Sequence, residues 1–448
     1  MTSPLIPDPL LDLPAAGRRL VAVAKRILRS KGWQALTVGA VTGAAGLDKS
    51  AIRYYFGNKD GLVAVLVESV IHDENAGELA RLEQLQNTDD RLTVHLRQHQ
   101  MSAESPDAIT YFELVPVMLR REPLRERLAS WYEWYRKADA WALALDKTQA
   151  DLALGLASLL EAVTDGLTIQ SLADPSIDLD AAYSLWHRMI CRALSRSHDA
   201  TSGFAALPTD PGALVGGGDL RPSRAPLCKD MPVVPDPLLD LPPSGRRLVQ
   251  EAKRTLVNSG WSGLSVGTIT SAAHLEKPAV SYYFGNKAGL IVALVESIIH
   301  DENAEELSRL HELGDGRSAL DLHLEARRAD VHSHESVIAY FELVPNLLRD
   351  RALRTRLASW NHWYREVDEC IFALATGRQA AEFGDLASLT EAVTDGLSLQ
   401  LAADPELDVE SAHRLWESML RRELAHGSEP IDGCDQTQKG VTTLAGRG

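Results

Sequence analysis

The 448-residue chain is poor in cysteine and aromatic residues and has no long apolar run. Its four cysteines, Cys191, Cys228, Cys370 and Cys434, lie far apart with no C-x-x-C pair. That spacing excludes a disulfide scaffold and a zinc module built on paired thiols, and it fits a reducing, cytoplasmic setting. No stretch approaches 18 consecutive apolar residues, so neither a transmembrane helix nor a membrane partner is expected. Residues 1–9 lack the basic start and apolar core of a secretory signal. Nowhere do apolar and polar residues alternate long enough to build a sheet. What is present, 45% hydrophobic and 24% charged residues, describes an ordinary globular protein. The net charge of −16, taken alone, argues against a nucleic-acid partner.

The chain is written twice. Pro7-Asp8-Pro9-Leu10-Leu11-Asp12-Leu13-Pro14 recurs letter for letter at 235–242, and residues 17–76 match 245–304 at 38 of 60 positions. Tyr111-Phe112-Glu113-Leu114-Val115-Pro116 recurs at 340–345, and Glu161 to Leu167 recurs at 391–397. Each unit runs to about 190 residues, far beyond the 20–50 of a solenoid repeat, so this is a duplicated whole protein. Between the copies, residues 197–235 are rich in proline and glycine and read as a flexible linker; residues 427–448 read as a disordered tail.

Each copy predicts helices only. Leu20, Val23, Ala24, Ile27 and Leu28 follow helical spacing, as do Leu152, Leu156, Leu159, Leu160 and Val163. Pro116 and Pro345 are expected to stop or kink their helices. In the first fifty residues a helix runs from Ala15 to Lys31 and ends at Gly32. Thr37 is the expected N-cap of a helix over 38–45 that stops at Gly46. Asp48 is expected to cap a short helix over 49–56, and Asn58 a fourth beginning at Lys59. Two short helices about a tight glycine turn make a helix-turn-helix, whose second helix can enter a major groove. Lys49 and Arg53 share one face of it, Tyr54 and Tyr55 offer hydroxyls, and Lys59 sits at a helix start that favours anions. Residues 15–60 hold nine basic and two acidic side chains, and 243–288 hold six and two. The acidity therefore lies outside two basic heads, the footprint that phosphate binding requires.

The segment Gly46-Leu47-Asp48-Lys49-Ser50-Ala51-Ile52-Arg53-Tyr54-Tyr55-Phe56-Gly57-Asn58-Lys59-Asp60-Gly61-Leu62 resembles the recognition segment of TetR-family transcriptional regulators, as does residues 274–290. The aromatic run followed by Asn-Lys and Gly-Leu is the specific part. The resemblance is close over about 50 residues per copy. It implies an all-α fold: an N-terminal arm (1–14), a helix-turn-helix head (15–62), a ligand-binding and dimerisation domain (63–196), a linker with second arm (197–242), a second head (243–290), a second ligand domain (291–426) and the tail (427–448). It further implies a double-stranded DNA operator, a small-molecule effector that releases it, and no cofactor. By position Lys49, Ser50 and Arg53 would face bases, while Thr37, Tyr54, Tyr55 and Lys59 would hold phosphates. In copy two these are Lys277, Pro278 and Ser281, with Ser265, Tyr282, Tyr283 and Lys287.

The family works as dimers, so the fusion implies one chain supplying both heads, with further self-association of chains on DNA compatible. A 39-residue coil spans about 35 Å r.m.s. and at most about 130 Å, enough to return to a second head. The interface is expected from helices over 152–170 and 181–194 against 386–400 and 412–424. There Gly166 and Gly396 either permit close approach or merely mark helix ends. The heads differ where reading happens: Arg53 faces Ser281, Ser50 faces Pro278, and Gly46 faces His274, which is less comfortable in a left-handed turn. An asymmetric operator follows.

In the larger halves Tyr111, Phe112, Trp131, Trp134 and Tyr135, with Tyr340, Phe341, Trp360, Trp363 and Tyr364, either line an apolar pocket with a handle such as Glu113 or His99, or are plain core. His95 and His99 are spaced i, i+4, but copy two keeps only His323, so no metal site is expected. Asp165 and Asp395 read as solvated or capping carboxylates, and no nucleophile–base pair points to an enzyme. A ligand-responsive DNA-binding regulator, most simply a repressor, is the leading reading. The alternative is an interaction protein with impaired heads that pairs with a related regulator.

Overall fold

The computed structural model describes residues 8–85, 88–105, 108–143, 150–199, 236–312 and 316–426. Most of the expected linker and the whole expected tail lie outside them. The described residues are helical and contain no strand.

Copy one begins with α1 (Ala15–Lys31), α2 (Val38–Ala45) and α3 (Ser50–Phe56), followed by the long α4 (Lys59–Leu82) that leads out of the head. Its body holds α5 (Thr88–Ala103), α6 (Ala108–Leu119), α7 (Glu122–Ala142), α8 (Ala150–Ala173) and α9 (Leu179–Asp199). Copy two repeats the order as α10 (Pro243–Gly263), α11 (Val266–Ala272), α12 (Pro278–Phe284), α13 (Lys287–Glu312), α14 (Gly316–His332), α15 (His334–Arg349), α16 (Arg351–Thr376), α17 (Gly384–Ala403) and α18 (Val409–His426).

Sequence chemistry sets the head. Leu20, Val21, Ala24 and Leu28 bury one stripe of α1 against Val41, Ile52, Leu62 and Leu66. Thr37 Oγ1 accepts from Ala40 N at 3.1 Å and Asn58 Oδ1 accepts from Gly61 N at 2.8 Å, both as expected of N-caps. Asp48 is different. It is exposed and caps nothing; the short helix starts at Ser50 without a side-chain cap. The Asn-Lys-x-Gly spacing has a steric cause, since a Cβ on Gly61 would lie 2.0 Å from the Phe56 carbonyl oxygen. Pro116 and Pro345 do not stop their helices, which continue to Leu119 and Arg349.

The copies pack through α8 and α17, flanked by α9 and α18. Gly166 and Gly396 are crossing points and not helix ends. A Cβ at Gly166 would sit 2.3 Å from Ala392 Cα, and one at Gly396 would sit 2.2 Å from Ala162 Cα. The contact is reciprocal, as an isologous interface demands. Gln170 Nε2 donates to Ser388 O and Gln400 Nε2 to Ser158 O, each at 2.9 Å. Trp186 meets Trp416 with ring centroids 6.4 Å apart, and Arg192 pairs with Glu423. By length and composition α8 could cross a membrane, but 72% of its apolar window is buried inside the protein.

Candidate nucleic-acid interface

Each head presents its short helix outward. Ser50, Arg53 and Tyr54 are exposed on α3 with Lys49 just before it, and Pro278, Ser281 and Tyr282 on α12 with Lys277 just before it. Tyr54 and Tyr282 are each 82% exposed, far more than packing would leave a tyrosine. Lys49 and Arg53 make no ion pair among the described residues. Two other head cations are paired: Lys25 donates to Asp73 at 2.7 Å and to Ser69 O, and Lys253 pairs with Asp301 at 3.1 Å.

The remaining expected phosphate contacts divide. Tyr55 is half-buried beside Gly17 and Tyr283 beside Gly245, so their rings first join α3 to α1 and α12 to α10. Thr37 Oγ1 and Ser265 Oγ accept cap hydrogen bonds, which leaves the Thr37 hydroxyl proton free to donate. Lys59 Nζ lies 4.2 Å from the Trp33 ring centroid and Lys287 Nζ 5.1 Å from that of Trp261. Burial holds both ammonium groups below their ordinary pKa, and nearby Arg121 adds to this at Lys59.

The two turns differ as the sequence implies. Gly46 is left-handed at φ 64°, and Leu47 N closes the turn on Thr42 O at 2.9 Å. His274 adopts φ 55° in the same role, with Leu275 N on Thr270 O at 2.8 Å; it is the non-glycine residue with positive φ among those described. The geometry is kept at a cost of order 1 kcal/mol.

Residues 20–66 and 248–294 each match the family model "Bacterial regulatory proteins, tetR family". The chain carries the DNA-binding domain of the bacterial tetR regulatory family twice, as a tandem duplication. No curated protein matches it.

Behind each head lies a cavity. The first, about 110 Å³, is bounded by Tyr111, Phe112, Trp134 and Tyr135. The second, about 140 Å³, is bounded by Tyr340, Phe341, Trp360 and Tyr364. Trp131 and Trp363, expected beside them, do not line the cavities but pack against the surrounding core. His99 lines the first cavity, whereas Glu113 faces away from it.

Acids gather here, Asp165 and Asp395 among others that no sequence motif singles out. Glu78, Asp139, Glu161 and Asp165 surround the first cavity, and Glu391 and Asp395 line the second. Asp165 and Asp395 are not caps but half-buried acceptors at the cavity walls: Tyr132 donates to Asp165 at 2.6 Å and Tyr340 to Asp395 at 3.1 Å. Burial raises each to about 7, opposed by those hydroxyls. Burial, then Asp139 and Asp165, push Glu161 well above the carboxylate range. His95 is fully buried, which works against its charge. Its hydrogen bonds to Asp139 and Glu78 prevail and raise it to about 10. Recurrence in both copies was the available signal, since Glu78 and Asp139 return as Glu306 and Asp368.

Glu113 instead grips the head. Its Oε2 accepts from Trp33 N at 2.9 Å, and Arg349 of copy two donates to its other oxygen and to Leu28 O at 3.3 Å. The mirror set is Glu342 on Trp261 N at 2.8 Å, with Arg120 bonding Glu342 and Leu256 O at 2.9 Å. No sequence pattern announces a pair 236 residues apart.

Proposed function

We propose that one chain acts as its own dimer. Its two heads read adjacent half-sites of an imperfect palindrome, and an effector in the helical bodies releases the DNA, so that the protein represses transcription. Lys49, Ser50 and Arg53 read bases in one half-site while Thr37, Tyr54, Tyr55 and Lys59 position the backbone. Lys277, Pro278 and Ser281, with Ser265, Tyr282, Tyr283 and Lys287, do so less selectively in the other, because Ser281 cannot make the bidentate guanine contact open to Arg53.

One observation carries the effector part. A single helix, α6, has Tyr111, Phe112 and Leu114 in the cavity wall, while the intervening Glu113 holds the turn of the head. Its counterpart α15 does the same through Tyr340, Phe341 and Glu342. Because Arg349 and Arg120 cross between copies, a displacement of one helix reaches both heads. A ligand acts by favouring one of two such arrangements.

Selection of bound duplex from a random pool tests the reading. The expected product is two unequal half-sites with centres about one turn, 10–10.5 base pairs, apart. No enrichment would favour the interaction-protein alternative.

A further inference from the structure

The two bodies keep the same buried acids but neutralise them differently. In copy two, His323 is held between Glu306 at 2.7 Å and Asp368 at 2.5 Å. Beside it Arg327 Nη2 lies 3.1 Å from Glu391 and 3.7 Å from Asp368. In copy one, His95 is held between Glu78 at 2.7 Å and Asp139 at 2.9 Å, but the position of Arg327 is His99. Asp139 and Glu161 thus lack the permanent cation that their counterparts Asp368 and Glu391 possess. Asp139 Oδ2 and Glu161 Oε1 are buried without a hydrogen-bond partner among the described residues, as are their counterparts Asp368 Oδ2 and Glu391 Oε1, so the copies differ in the nearby cation and not in these oxygens. A buried carboxylate in that condition is expensive.

The donor atoms converge. His99 Nε2 lies 3.2 Å from His95 Nε2 and 3.6 Å from Asp139 Oδ1, and His95 Nε2 is 2.9 Å from the same oxygen. Ligands about 2.1 Å from a shared ion are separated by about 3.0–3.4 Å; the three edges here, 2.9, 3.2 and 3.6 Å, bracket that range, so shifts of a few tenths of an ångström would make a coordination face. Each imidazole is also oriented from behind: Glu78 takes Nδ1 of His95, and Thr164 Oγ1 lies 2.8 Å from Nδ1 of His99. Such outer partners fix the ring nitrogen that faces a metal. The three residues are on α5 and α7, all buried, and line the first cavity.

We infer that His95, His99 and Asp139 bind one divalent first-row transition ion, with Glu161 in the same cavity lining, and that Arg327 takes the ion's place in copy two. Two imidazoles and a carboxylate suit Zn²⁺ and its neighbours over Mg²⁺ or Ca²⁺. On binding, the two Nε2 lone pairs and an Asp139 oxygen form the bonds, and the displaced imidazole protons leave to solvent. The ion would pin α5 to α7 at the cavity wall. The copy-to-copy difference at His99, which in the sequence argues against a metal, is here the feature that identifies the site.

The test counts ions in the purified, chelator-stripped full chain, with Co²⁺ followed by its visible absorption and Zn²⁺ by competition against it. The wild type is expected to take one ion at this site. His99→Arg, which borrows the arrangement copy two already folds around, is expected to take none. Arg327→His is expected to take two, and Glu78→Gln to bind 10–100-fold more weakly. Equal binding by wild type and His99→Arg would place the ion on surface groups only and overturn the inference. So would Mg²⁺ competing on equal terms. Should Arg327→His lose its helical circular dichroism, the comparison with His99→Arg still decides. None of these readouts involves DNA, so their failure leaves the proposed function standing.

Discussion

Arg349→Ala offers a perturbation with a built-in control. The side chain is one-third exposed, its guanidinium bonds the nearly buried Glu113 carboxylate, and it reaches Leu28 O at the end of α1. Glu113 in turn receives the Trp33 amide. Removing one hydrogen bond to a charged group costs about 1.5–3 kcal/mol, and exposure of the arginine places this one at the lower end. At about 1.4 kcal/mol per tenfold, local opening of the turn at 32–35 becomes roughly 10-fold more frequent. Amide hydrogen exchange at Trp33 reads this directly. The turn around Trp261 is held by Glu342 and Arg120 and loses no contact, so its exchange is expected to stay as it was. Arg120→Ala should give the mirror result. If Arg349→Ala left Trp33 unchanged, or loosened both turns equally, Arg349 would not hold the first head through Glu113, and the coupling argument would fail.

Other expectations follow from single contacts. Arg53→Ala should weaken operator binding by about 1–3 kcal/mol and blur one half-site, while Ser281→Ala should change footprinting little; equal losses would contradict the asymmetry. Gly166→Val places a branched side chain where even a Cβ lies 2.3 Å from Ala392 Cα, so the copies should separate and the radius of gyration by X-ray scattering should rise. Asp395 is raised from 3.8 to about 7 by burial, so its contribution is fully present below pH 4 and lost as pH rises through 7. Asp395→Asn should therefore gain thermal stability over the wild type as pH goes from 5 to 8, by at most about 3 kcal/mol. A gap that does not depend on pH would refute this.

Local chemistry made the heads legible. Thr37, Asn58, Gly46 and Gly61 are punctuation whose effect is exerted within five residues, and the duplicated string supplied the rest of the argument. Asp48 misled because an acceptor before a short helix caps only if its backbone turns the oxygen inward, and α3 begins two residues later. The bodies were less readable. That Trp131 packs while Trp134 lines a cavity depends on helix rotation that aromatic spacing alone leaves open. The Glu113–Arg349 and Gly166–Ala392 contacts join distant parts of the chain, where no local preference acts. His99 was visible, but its significance depended on finding the Arg327 guanidinium among the same acids.

The central claim concerns stoichiometry on DNA. Native mass spectrometry of the complex with a selected two-half-site duplex measures it: the account predicts one 49.0 kDa chain per duplex at the lowest saturating concentration, with both half-sites protected. Two chains bound to that duplex before both half-sites are protected would contradict it.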